Sequence, residues 1–405
     1  MPKKVVFTCR DVLKGVGGEA SYARAHARAA IEGGFEPHFF CASSDRGTLG
    51  TDFGIVHRVW TPFRPLRAIA VPANGPFVAR ALIRFLAADK QPFLIHGIGP
   101  ASYGGSIAYR KLSRAGIYGT YLVSAFDTYE REAQARLAAV TSAHGKLLRL
   151  QNRIECLWTR LAVTPCERRA YAQASLVLVN YESVRQSLLQ GYAESENIRV
   201  TRYSSETAFL NREEPDPAKR AATDAPLIVA VSRHDPRKGI HFLLRALAHL
   251  RAAGVPFRAL LIGPGPLLAL HRRMARELGL GSETRIEGRV DEPFLHLRKA
   301  DIFVLPSLEE GSASVSMIEA MQCGVAVVAT DVDGIPEDVV HEDSALLVAP
   351  GDVAELTHAL QRLLTDQPLR ERLARRAREE FERRFSPDAF QNSLLEIYAE
   401  LGFTP

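Results

Sequence analysis

No stretch of the 405 residues holds the roughly 18 uninterrupted apolar residues that a membrane-spanning helix needs, which excludes a helical membrane span. Cysteine is scarce as well. Cys9, Cys41, Cys156, Cys166 and Cys323 are odd in number, widely spread, and show no Cys-x-x-Cys or Cys/His spacing. That excludes a disulfide framework and a structural zinc site, and leaves a reduced, cytosolic setting as the expectation. The amino terminus MPKKVVFTCRD lacks the long apolar core and small-residue cleavage segment of a signal peptide, so it reads as a first strand. Basic residues interleaved with aromatics are missing, and no nucleic acid partner is expected. The dinucleotide fingerprint Gly-x-Gly-x-x-Gly is broken: after Gly15 and Gly17 the sixth position is Ala20, which speaks against a nicotinamide cofactor. No Gly-Lys-Ser/Thr follows a glycine loop, so a P-loop is excluded too, the turn LIGPGP at 261–266 included.

What remains is an ordinary globular composition with an uneven charge. Apolar residues make up 46% and charged residues 24% of the chain, and its length predicts two domains. The net charge of +5 conceals a split. Residues 1–205 carry 27 Lys and Arg against 15 Asp and Glu, whereas residues 206–405 carry 24 against 31. A basic first half is either a set of solvated faces or a surface that meets an anionic partner.

Short apolar runs recur at crossover spacing. KKVVFTC, FEPHFFCAS, QPFLIHGIG, GIYGTYLVSAF, ASLVLVN and NIRVTRY predict a first parallel sheet with helices on both faces. Residues 206–225 break the rhythm with acids and prolines and read as a linker. PLIVAVSR, PFRALLIGPGP, TRIEGRV, ADIFVLPS, GVAVVATD and SALLVAP then predict a second doubly wound sheet. The expected division is 1–205, 206–385 and a final amphipathic helix in 386–405 that packs back on the first domain.

Ligands of open α/β sheets sit beyond the carboxyl ends of the strands, so residues just after strand runs carry the most weight. VSRHDPRKG places Arg233 and Lys238 between a strand and a helix, where a guanidinium and an ammonium suit a diphosphate; the alternative is a plain basic loop. EEGSASVSMIEA sets Glu309 and Glu310 after the strand ADIFVLPS, then small residues at a helix start, then Glu319 inside the helix. Amides there suit an anion, Ser side chains suit capping, and a carboxylate suits a vicinal diol such as ribose; surface charge is the competing reading. The glycine loop GVGGEAS at 15–21 closes a turn or approaches a ligand. His96, which LIHGIGP at 94–100 places at a strand end, is either a substrate hydrogen-bonder or a satisfied core histidine. Asp331-Val332-Asp333 has the form of a metal-binding pair but follows a strand of the second sheet, so it is read as a polar loop and no metal site is expected.

In order, GVGGEAS, LIHGIGP, SRHDPRKG, LIGPGP, IEGRV, ADIFVLPS, EEG…IEAMQCGVAVVAT and DGIPE resemble the family-4 retaining glycosyltransferases (glycosyl transferases group 1) over nearly the whole chain. The resemblance implies the GT-B fold, in which two Rossmann-like doubly wound parallel-sheet domains face a central cleft. It implies transfer of a hexose-type sugar from a UDP- or GDP-sugar to a glycan or lipid-linked acceptor, with retention, no cofactor and no essential metal. Carried over by position, Arg233 and Lys238 clamp the diphosphate, Glu319 holds the ribose, and Glu310 contacts the sugar. Amides from Gly311 through Ser312 and Ser314 to Ser316 meet the phosphates. The base lies near Gly288, Arg289 and Val290. Gly17 and Gly18 face the donor from the first domain, with His96 and Asp127 towards acceptor or sugar.

Three departures from the family pattern stand out. Eight residues instead of seven separate Glu310 and Glu319, and the extra one is assigned to the loop at Ser312 to Ser314. Phe126 precedes Asp127 where many relatives have His, and RYSSETAF replaces an Asn-Gly-Val-Asp turn. The competing functional class is a nucleotide-sugar epimerase or an inactive sugar-nucleotide binder on the same fold. HGKLLRLQNRIECLWTRLAVTPCERRA at 144–170 mixes Leu, Ile and Trp158 with Lys146, Arg149, Arg153 and Arg160. It is either a crossover helix with a solvated basic side or a face for peripheral contact with anionic membrane at the cytoplasmic side.

Overall fold

The computed structural model describes residues 3–13, 18–63, 70–89, 91–138, 146–192, 195–213, 225–311 and 314–405. The chain forms two compact units, Met1–Phe209 together with Pro387–Pro405, and Leu210–Ser386.

In the first unit the strands are β1 (Lys4–Cys9), β2 (Glu36–Ser43), β3 (Gly47–Thr51), β4 (Gly54–Trp60), β5 (Phe93–Ile98), β6 (Gly119–Ala125), β7 (Leu176–Val179) and β8 (Ile198–Val200). They form one eight-stranded sheet in the order β3-β4-β2-β1-β5-β6-β7-β8. All neighbours are parallel except β3, which runs antiparallel to β4. The central strands read as continuous apolar runs because helices cover both faces: VVF of β1 and LVLV of β7 are buried throughout. The hairpin β3–β4 has no counterpart among the predicted strands. GTLGT is glycine-rich and exposed at the sheet edge, so it lacks the apolar alternation that marks a strand.

The boundary also differs from the expected one. Residues 206–209 belong to the first unit, as the first residues of a short helix Glu206–Leu210. Glu206 accepts from both Arg24 and Arg28 of the helix Gly18–Glu32, and Ala208 and Phe209 are buried. An acidic residue that looks like linker charge thus closes a helix-to-helix ion pair. Of the rest of the predicted linker, residues 210–213 and 225 belong to the second unit and residues 214–224 lie outside the described residues.

The second unit carries β9 (Leu227–Val231), β10 (Arg258–Ile262), β11 (Thr284–Glu287), β12 (Ile302–Leu305), β13 (Ala326–Thr330) and β14 (Leu346–Val348). Its six-stranded sheet is parallel, in the order β11-β10-β9-β12-β13-β14. The core of one face gathers Leu243, Leu247 and Leu250 of the helix Ile240–Ala252 and Leu360 and Leu363 of the helix Val353–Thr365 over Ile228, Val304 and Val328. From β9 the chain winds outward through β10 and β11, then returns to the other side of β9 through β12. That reversal makes the carboxyl ends of β9 and β12 a topological switch point, where loops diverge and leave a crevice.

Candidate functional site

The loop after β9 is built to hold cations in place. Asp235 accepts from the Arg237 amide at 3.0 Å and caps the short turn Pro236–Lys238. Gly239 follows at φ 61°, and a side chain there would meet the Pro306 carbonyl oxygen at 1.8 Å, so only glycine lets this loop lie against the end of β12. Leu308 donates its amide to the Arg237 carbonyl at 2.6 Å, and the buried Arg237 guanidinium reaches Glu309 at 3.2 Å. Burial raises the Glu309 carboxyl above its usual range against the pull of Arg237. Neither Arg237 nor Glu309 was singled out by sequence as a site residue, and together they tie the two loops of the switch point.

Across the same junction the Lys238 ammonium lies 2.7 Å from Glu310 Oε1, and Ser307 Oγ donates to that oxygen at 2.5 Å. Two residues chosen by sequence 72 positions apart are therefore brought into one ion pair. Arg233, from the same loop as Lys238, is exposed, with its Nε 4.0 Å from Asp235. The base of the loop is supported from β10: His234 donates its amide to Pro264, and Leu267 donates to the His234 carbonyl. A Cβ on Gly265 would meet that carbonyl at 2.3 Å, so the turn GPGP serves close backbone approach. The buried His234 ring meets His271 at 2.8 Å, and burial pushes its pKa down to about 4.

The amides of Glu310 and Gly311 both donate to Asp333 Oδ2, at 2.8 and 3.0 Å. This corrects two expectations. The Gly311 amide, assigned to phosphate by resemblance, is occupied by a carboxylate, and Asp333 is a built part of the site and not merely a polar loop. Its backbone sits at φ 49°, a conformation that Asp tolerates better than most residues. Gly311 (φ 71°) and Ser314 (φ −89°) both precede the helix Val315–Gln322. The Ser314 side chain makes no capping bond, contrary to expectation, and Ser312 lies outside the described residues. Glu319 is buried in the second turn of that helix. Gly288, Arg289 and Val290 follow β11, with the Gly288 carbonyl accepting from Gly263 at 3.0 Å and Arg289 exposed.

In the first unit the assignments fare differently. His96 is buried in β5, its Nδ1 bonded to Tyr398 Oη at 2.9 Å and its Nε2 to Ser124 Oγ at 2.8 Å. Both ring nitrogens are satisfied inside the unit, so the structure corrects the acceptor-side assignment: His96 is a core residue. Burial, with His26 beside it, holds its pKa well below the usual histidine range. Gly18 starts the helix Gly18–Glu32, and Gly17 lies outside the described residues. Asp127 follows β6, accepts from the Thr128 amide at 2.7 Å, and lies 3.7 Å from Arg131. Phe126 sets its ring edge-on to Tyr22 at 4.6 Å. Beyond β1, Arg10 binds Glu19 and the Tyr129 hydroxyl, a polar cluster with no sequence signal because its members come from three separate segments. Among the described residues no group of His, Cys, Asp and Glu has the arrangement of a metal site.

Residues 211–380 match the family Glycosyl transferases group 1. A GDP-mannose-dependent alpha-(1-6)-phosphatidylinositol monomannoside mannosyltransferase from Mycolicibacterium smegmatis is 36% identical over 168 residues, 38% of this chain and 44% of that protein. The match thus spans less than half the length of that relative. A sucrose-phosphate synthase from Thermosynechococcus elongatus superposes with a TM-score of 0.79 at 22% identity, covering 99% of both chains. The Anabaena protein HepE, solved in complex with UDP and glucose, superposes with a TM-score of 0.69 at 18% identity, again over 99% of both. Residues 211–380 are a glycosyl transferases group 1 domain, carried in a chain whose two parallel-sheet α/β units have the fold of the GT-B glycosyltransferases.

Proposed function

We propose that the chain transfers a hexose-type sugar from a UDP- or GDP-sugar to an acceptor hydroxyl, with retention of configuration and without an essential metal, in bacterial glycolipid or polysaccharide synthesis. The observation that carries this reading is the Lys238–Glu310 ion pair at the β9/β12 switch point. An ammonium and a carboxylate held together there are a matched pair that an incoming donor can separate. The diphosphate takes Lys238, joined by the exposed Arg233, and Glu310 turns to sugar hydroxyls. Glu319 holds the ribose diol and the backbone near Arg289 faces the base. The names of the mannosyltransferase relative and of the HepE complex supply GDP-mannose and UDP as precedents for the donor. Asp127 and Gly18 remain candidates for the acceptor or sugar side, and the acceptor is a glycan or lipid-linked hydroxyl.

The chemistry follows from charge. As the bond from the sugar carbon to the diphosphate breaks, negative charge grows on the leaving oxygen, and two fixed cations stabilise it where other enzymes use a divalent ion. The acceptor hydroxyl attacks on the face the diphosphate leaves, and its proton passes to the leaving phosphate oxygen, so retention needs no enzyme nucleophile. Lys238→Ala is expected to lower turnover about 10²- to 10³-fold in a nucleoside-diphosphate release assay, under conditions where the variant still melts cooperatively and so is folded. A rate near that of the parent would sink the assignment. Activity that persists in excess EDTA is the matching expectation for metal independence, and its loss would remove that part.

A further inference from the structure

The helix Lys146–Trp158 and the turn Thr159–Val163 that continues it carry a row of five large apolar side chains turned to solvent, while Val163 at the end of the turn is buried. Leu150 is 54% exposed, Ile154 58%, Leu157 60%, Trp158 39% and Leu161 68%. At about 100° per residue, the first four fall within an arc of about 100°, and Leu161 extends the row to about 16 Å. The opposite side of the helix faces the protein: Thr159 is buried, and Glu155 pairs with Arg136 of the helix Tyr129–Ala138 at 3.1 Å. A soluble amphipathic helix turns its apolar stripe to the core and its polar face to water. Here an apolar row faces solvent instead, and an exposed row of this length marks a surface that something covers.

The flanking charges say what covers it. Arg149, Arg153 and Arg160 are all exposed, and helical geometry puts Arg149 and Arg153 side by side along one flank of the apolar row, with Arg160 in line beyond them. Trp158, amphipathic and at the edge of the row, is the side chain that settles at the level of lipid headgroups. A protein groove would accept the leucines but has no general need for a row of guanidinium groups beside them. An anionic bilayer meets both at once, apolar side chains below the headgroups and arginines among the phosphates. The surplus of Lys and Arg over residues 1–205 adds long-range attraction of the same sign. No helix of the described residues is long and apolar enough to cross a membrane, so this contact is a peripheral one.

We propose that the face formed by Leu150, Ile154, Leu157, Trp158 and Leu161, with Arg149, Arg153 and Arg160 beside it, docks the protein on an anionic lipid surface. The docking needs no donor, so its test stands apart from the transfer reading. The full chain is mixed with vesicles of phosphatidylcholine containing about one third phosphatidylglycerol, and with pure phosphatidylcholine vesicles, and sedimented. Binding to the anionic vesicles that weakens with salt is expected. Ile154→Ser, Leu157→Ser and Leu161→Ser together should lower the partition constant more than about ten-fold, with the melting temperature held because all three are exposed. Arg149→Gln, Arg153→Gln and Arg160→Gln should each cost about five-fold at low salt and flatten the salt dependence. No binding to anionic vesicles at low salt overturns the proposal, as does binding that survives the serine triple. A protein dimer that the serine triple converts to monomer in analytical ultracentrifugation also overturns it, since the face would then be an interface between copies.

Discussion

Glu167 shows how far a single side chain can depart from its usual chemistry. It is wholly buried, its carboxylate accepts long bonds from the Tyr129 amide at 3.3 and 3.4 Å, and Asp127 and Glu132 lie close enough to repel it. Burial first, and then those carboxylates, push its pKa well above the ordinary range. With the folded pKa raised, the penalty is absent below the unfolded value, where both states are protonated, and grows as pH rises above it. Glu167→Gln keeps an acceptor for Tyr129 and removes the titration. It should therefore raise the melting temperature by about 2–4 °C near pH 7.5 and by nothing near pH 4. An equal gain at both pH values would show that charge burial is not the cause. Sequence carried no hint of this residue. His96 was visible as a strand-end histidine, but its role was not, because the hydroxyl that satisfies its Nδ1 belongs to Tyr398, 302 positions away. Local sequence shows which residue can hydrogen-bond, while the partner is decided by the fold.

At the scale of elements, what was legible follows from burial on both faces. Five of the six strands of the second sheet stand out as apolar runs because helices cover both sides, the edge strand TRIE being the exception, and the switch point follows from their order. The edge hairpin β3–β4 and the role of Asp333 were not legible. The carboxylate of Asp333 reaches the Glu310 and Gly311 amides only because β12 and β13 run parallel side by side and bring their carboxyl ends together. Two amide-to-carboxylate bonds hold the turn that precedes the helix Val315–Gln322, and each such charged bond contributes about 1.5–3 kcal/mol. Asp333→Ala should speed hydrogen exchange at the Glu310 and Gly311 amides about ten-fold or more, and donor affinity should change with it. Asp333→Asn, which tolerates the left-handed backbone and keeps one acceptor oxygen, should give an intermediate rate. Unchanged exchange in the alanine variant would mean that the turn is held by its own backbone.

Across the whole molecule, one of the two units is discontinuous in sequence, and this has a thermodynamic consequence. The first unit takes both Met1–Phe209 and Pro387–Pro405, whereas Leu210–Ser386 is continuous. The returning helix Pro387–Glu400 and its tail close the first unit's core. Phe390 meets His26 edge-on at 4.8 Å, Tyr398 bonds His96, and Phe403 stacks on Phe35 at 5.4 Å. Leu395 lies against Gly33 so closely that a Cβ there would meet it at 2.4 Å. Phe390, Leu394, Ile397, Tyr398 and Phe403 are all buried. At about 1.5–3 kcal/mol for each large apolar side chain, removing them costs on the order of 10 kcal/mol, comparable with the whole stability of a domain. A chain ending at Ser386 should therefore lose the calorimetric transition of the first unit and keep that of the second. Residues 210–386 expressed alone should melt cooperatively near the temperature that the second transition has in the full chain. Linking 387–405 ahead of residue 1 through a flexible spacer should restore a folded first unit without the second. A truncated chain that keeps both transitions would show that the first unit's core is complete without its returning helix.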